Sequence, residues 1–138
     1  MRCVVDTNVV VAGLRIPAGA SAELLRCVRR GTVTMLASVA LFAEYEAVAT
    51  RPEHLAAAGA TRAEVEGVLD GLARFVTPVE IHFLWRPRLR DPADDMVLEV
   101  AVNGRAEAIV TFNRGDFAAA PGQFGIAVIG PSDVLRRL

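Results

Sequence analysis

Carboxylates stand beside three separated apolar runs of this chain. Asp6 ends the run Cys3-Val4-Val5 and is followed by Thr7 and Asn8. Asp91, Asp94 and Asp95 cluster around Pro92-Ala93. Asp116 follows Ile109-Val110-Thr111-Phe112-Asn113 by a few residues. A short buried strand that ends in a carboxylate places that charge at the carboxyl edge of a sheet, where open α/β folds put their ligand sites. Several carboxylates gathered at one such edge repel one another, and stay ionised together only around a cation. The pattern therefore predicts a divalent metal ion and metal-assisted chemistry.

Each carboxylate also has a plainer explanation. Asp6 can be a turn or cap residue, but Thr7 and Asn8 add short polar groups able to orient a carboxylate or hold a metal-bound water. Glu44 is spaced three and four residues from Leu41 and Val48. That puts it beside an apolar stripe, where an unpartnered carboxylate costs several kcal/mol. Glu46 points elsewhere. Asp91 is explained as the cap before Pro92, and acids in a first helical turn suit the macrodipole. Asp94 shares a face with Val97, Leu98 and Ala101, whereas Asp95 lines up with Leu98, Val102 and Glu99. One of the pair faces the site, and Asp94 is preferred. Asp116, Asn113 and Thr111 can be turn and strand-end residues, or a carboxylate ligand with two supporting polar groups.

The elements that must position these groups follow from periodicity. Residues 2–5 read as a strand, 21–30 as a helix closed by Gly31, and 33–37 as a second strand. Ser38 caps a helix to about Thr50, ended by Arg51-Pro52. Ala56 to Gly59 marks a turn. Thr61 and Glu64 form a capping box for a helix with the stripe Val65, Val68, Leu69 and Leu72. Residues 75–84 are extended, and 85–90 form an arginine-bearing loop. Asp91 caps a helix to Asn103-Gly104, residues 108–111 and 125–129 are strands, and 131–138 is a closing helix capped by Ser132. Strands alternating with helices imply a mainly parallel sheet with helices on both faces.

Composition limits the chemistry. With 138 residues, 53% of them hydrophobic, the expectation is one domain with one good core. No apolar stretch approaches the roughly 20 residues of a membrane span, and the start lacks the features of a signal peptide. A soluble, cytoplasmic chain is expected. Cys3 and Cys27 match no metal spacing and read as buried thiols. The net charge of −1 gives no global basic field. All 15 basic residues are arginine, which excludes a Schiff-base lysine, a phosphate-loop lysine and a lysine partner for a phospho-aspartate. His54 and His82 are isolated and are given no catalytic role. No glycine-rich phosphate loop is present.

Taken in order, Val4-Val5-Asp6-Thr7-Asn8-Val9-Val10, Ser38 with Glu44-Tyr45, Asp91-Pro92-Ala93-Asp94-Asp95-Met96-Val97-Leu98 with Ala101, and Val110-Thr111-Phe112-Asn113-Arg114-Gly115-Asp116-Phe117 resemble the PIN domain. The stretch around Arg51-Pro52 resembles the PIN subgroup associated with toxins of toxin–antitoxin systems, akin to VapC-like proteins. The resemblance implies a three-layer α/β/α sandwich with a parallel sheet of four or five strands. It implies an endoribonuclease that hydrolyses RNA phosphodiester bonds with Mg²⁺ or Mn²⁺. Asp6, Glu44, Asp94 and Asp116 would form the acidic quartet, with Asp95 the alternative to Asp94, and with Asn8, Thr111 and Asn113 in support. Many relatives carry Asp where this chain has Asn113, so the fourth charge falls to Asp116. A cognate antitoxin and a homodimer are also implied. Arg15, Arg86, Arg88, Arg90 and Arg114 are candidates to hold phosphates.

Two other classes are weighed against this one. A catalytically degenerate module that binds RNA or protein would have no need to keep mutually repelling charges. A phosphatase or phospho-receiver needs a lysine or a second Asp two residues beyond the first, and position 8 is Asn.

Overall fold

A computed structural model of the chain describes residues 1–83, 91–118 and 120–138. Its centre is a sheet of five strands, all parallel: β1 (Arg2–Val5), β2 (Thr34–Ala37), β3 (Thr77–Pro78), β4 (Ala108–Val110) and β5 (Ala127–Ile129). Their order is β3-β2-β1-β4-β5. Cys3, Val4 and Val5 of β1 and Ile109 and Val110 of β4 have no exposed surface. Strands buried on both faces read as continuous apolar runs, which is how these two appear in the sequence.

Helices flank the sheet, as expected for the three-layer α/β fold. They are α1 (Thr7–Arg15), α2 (Ala20–Arg30), α3 (Val39–Ala49), α4 (Pro52–Ala58), α5 (Arg62–Ala73), α6 (Pro92–Asn103), α7 (Ala120–Phe124) and α8 (Pro131–Arg136). A 3₁₀ turn covers Arg114–Phe117. Several ends obey the local rules. Ser38 Oγ accepts from the Leu41 N–H at 3.1 Å and starts α3. Thr61 and Glu64 form the reciprocal capping box of α5. Asp91 accepts from the Ala93 N–H at 2.9 Å, with Pro92 at the first helical position of α6. Gly31 ends α2 at φ +82°, a conformation that side-chain-bearing residues rarely adopt.

Other segments depart from the sequence-based assignment. Residues 7–15, left without an element, form α1. Its run Val9-Val10-Val11 is a poor helix former in isolation, but all three side chains are buried. Tertiary packing outweighs the propensity deficit of a few tenths of a kcal/mol per residue. Ala56–Ala58 belong to α4, and the turn comes only at Gly59. Val68 is 48% exposed, so the buried stripe of α5 is Val65, Leu69 and Leu72. The extended region after Phe75 pairs only at Thr77–Pro78. Gly130, and not Ser132, is the cap of α8, where the Asp133 carboxylate accepts from the Gly130 N–H at 3.0 Å. The loop expected at 85–90, with Arg86, Arg88 and Arg90, lies outside the described residues.

Candidate active site

Strand register dictates which residues meet at the carboxyl edge of the sheet. Val5 pairs with Val110, Val110 with Ile129, and Val4 with Leu36. Continuing these registers just past the strand ends, Ser38, Asp6, Thr111 and Gly130 form a row at the ends of four strands. The chain builds outward from β1 through β2 to β3 on one side and through β4 to β5 on the other. The crossover reverses between β1 and β4, and such a switch point leaves a crevice outside the strand ends. Asp6 and Thr111 stand at that crevice.

Asp6 occupies the N-cap position of α1, yet its side chain makes no capping bond. It accepts instead from Thr111 Oγ at 2.8 Å, and Thr111 Oγ in turn accepts from the Asn113 N–H at 3.0 Å. Asp6 and Thr111 are both buried. Burial pushes the Asp6 carboxyl above its usual range, the Thr111 bond opposes that shift, and the charges of Asp116 and Asp91 reinforce it. Next to it, the Thr7 hydroxyl is buried and has no hydrogen-bond partner among the described residues.

Asp94, in the first turn of α6, is half-buried. Its carboxyl is pushed up to about 7, first by burial and then by the charges of Asp6, Asp116, Asp91 and Asp95. The helix N-terminus alone would act the other way. Asp116 is exposed on the 3₁₀ turn after β4, and its charge reaches both Asp6 and Asp94. Asp6, Asp94 and Asp116 therefore share one electrostatic environment. Asp91 adds to it, although the sequence explained that residue fully as a cap. The missed signal was its position three residues before Asp94, on the same first turn.

The remaining residues divide. Asp95 is buried at 3% exposure, one position round the helix from Asp94. Glu44 lies half-buried on α3, and its charge is not among those acting chiefly on Asp6 or Asp94. Its neighbour Tyr45 is fully buried and donates to the Val5 carbonyl, which ties α3 to the end of β1. Burial and the nearby Asp6 charge hold the Tyr45 phenol well above its ordinary pKa. Asn8 and Asn113 are both exposed beside the site.

Comparison with known families is decisive at this point: the PIN domain family model matches residues 2–115. The chain belongs to the PIN domain family. Membership brings a nuclease-type, hydrolytic function that acts on nucleic acid. The match spans β1 through the start of the 3₁₀ turn, and so includes Asp6, Glu44, Asp94 and Thr111. Searches of curated proteins and of solved structures return no match. PIN nucleases typically use divalent metals. Here the donor set is chemically suited to one, being all oxygen and mutually repelling. The unpartnered Thr7 hydroxyl is a further polar group beside it. The set is not closed, however: among the described residues no three potential ligands converge tightly enough to grip one ion together. Also among the described residues, no helix is long and apolar enough to cross a membrane.

Proposed function

We propose that this PIN domain is a Mg²⁺- or Mn²⁺-dependent endoribonuclease, the toxin of a toxin–antitoxin pair. One observation supports the catalytic part: the charges of Asp6 and Asp116 act on Asp94, whose carboxyl burial and these charges push up to about 7. A protein gains nothing in stability by crowding these charges, and a bound cation removes their repulsion. Asp6, Asp94 and Asp116 would hold the ion, with Glu44, half-buried on α3, as the fourth member of the set. Asp95 is the alternative to Asp94. When bound, the cation supplies a lowered pKa for water and charge neutralisation at the leaving oxygen.

The chain's own groups do the rest. Thr111 fixes one oxygen of Asp6. Asn8 and Asn113 are neutral donors at its rim. Arg15 and Arg114 would hold phosphates. No histidine base is required, because carboxylates at the edge can accept the proton of the attacking water.

The toxin assignment rests on the likeness around Arg51-Pro52, and the cognate antitoxin, a homodimer and a cytoplasmic location belong to the same proposal. Co-expression with the product of an adjacent small reading frame should restore growth, if growth is arrested by this protein alone. For the chemistry, purified protein is incubated with RNA and Mn²⁺, with and without EDTA. Cleavage should stop in EDTA and in Asp6→Ala. Persistence in either would refute the mechanism. The open donor set favours one rival, a degenerate module that binds RNA without cutting it. Calorimetric titration separates the two, since such a module would bind Mn²⁺ negligibly.

A further inference from the structure

Phe112 follows the threonine that holds Asp6, and it is 54% exposed. It lines two cavities. One, of about 380 Å³, is also lined by Arg114, Ser132, Asp133 and Arg136. The other, of about 330 Å³, is also lined by Asn8, Arg15 and His54. Both fall in the size range of small-ligand clefts. Three arginines face them against one carboxylate, Asp133, in a chain whose net charge is −1. Asp133 pairs with Arg114 and Arg136 together, which orients both guanidinium groups and leaves an excess positive charge.

We infer that Phe112 is a base-stacking platform that divides a single-strand track into two subsites. The first is floored by Arg114 and Arg136, and the second by Arg15 with His54. This deepens the nucleic-acid function proposed above and rests on it. A large aromatic ring left half in water has an apolar face to cover, and any base can cover it. Arginine groups on both sides match phosphates on both sides of that base. A duplex has its base faces already stacked, so it cannot use the platform; an unpaired strand can. The track also runs past Asp6, because Asn8 and Thr111 line its two halves.

The test is fluorescence anisotropy with a labelled oligouridylate of about ten nucleotides, using the full chain in EDTA, where cation-dependent cleavage is absent. Stacking predicts that Phe112→Ala weakens binding by roughly tenfold, and that Phe112→Trp retains it. Arg136→Ala should weaken binding several-fold and lower the salt slope by about one. A duplex of equal length should bind more weakly and be indifferent to Phe112→Ala. Unchanged single-strand affinity in Phe112→Ala, or an equal loss for the duplex, overturns the track. Because these constants need no metal, a failure of Mn²⁺-dependent cleavage leaves them standing. Conversely, cleavage by the unaltered protein with no effect of Phe112→Ala on binding refutes the track alone.

Discussion

Replacing Asp94 with Asn should stabilise the metal-free protein. The carboxyl rises from 3.8 to about 7 on folding. The folded state therefore keeps a proton that the unfolded chain releases between those values. Stability of the unaltered protein falls as pH rises through that window, and the loss is complete above about pH 7. At 1.36 kcal/mol per pH unit the full displacement would amount to about 4 kcal/mol. Asp94 is only half-buried, and solvent screening reduces this to ~1–2 kcal/mol. In a chain of this size that is ~3–8 °C in Tm. Melting curves in EDTA should show Asp94→Asn ahead by that margin at pH 8 and level with the unaltered protein below pH 4. Added Mn²⁺ should raise the Tm of the unaltered protein and move the variant far less. A variant that melts earlier at pH 8 in EDTA, or a margin that ignores pH, would refute the crowding of charge at this edge.

Four further outcomes follow from particular contacts. Thr111→Val removes the donor to Asp6 and should cost ~1–3 kcal/mol in urea unfolding, with Thr111→Ser recovering most of it. Tyr45→Phe deletes the buried bond to the Val5 carbonyl and should cost ~1–2 kcal/mol by the same assay, with Mn²⁺ affinity reduced because α3 is no longer tied to β1. Ser38→Ala should cost ~1 kcal/mol through loss of the α3 cap, leaving the sheet edge intact, which chemical denaturation will read. Cys3 is buried with its thiol pushed up to about 12, so a thiol-reactive dye at pH 8 should label it only after denaturant is added.

What the sequence disclosed and what it withheld divide along physical lines. Strands β1 and β4 were legible because strands buried on both faces must be apolar throughout. The starts of α3, α5 and α6 were legible because Ser38, Thr61 and Asp91 satisfy backbone donors locally. Helix α1 was not, since three consecutive valines are helical here only through burial against distant elements. For the site, the pattern pointed to Asp6, Glu44, Asp94 or Asp95, and Asp116, with Asn8, Thr111 and Asn113 in support; in the structure Thr111 bonds to Asp6, and the charges of Asp6 and Asp116 act on Asp94. Phe112 and Arg136 escaped notice for a different reason. Phe112 follows β4 and Arg136 ends α8 beyond β5, and no spacing along the chain encodes their lining one cavity.

The pairing of β1 with β4 joins positions about a hundred residues apart, as the bond from Thr111 to Asp6 records with its separation of 105. Contacts of that range form late, since the closure entropy of the intervening chain must be met first. During synthesis Asp6 leaves the ribosome early, while Asp94, Thr111 and Asp116 are still untranslated. A polypeptide terminated before Asp94 thus lacks the far half of the crevice, and translation itself delays any hydrolytic capacity until the segment carrying Asp94, Thr111 and Asp116 has been made.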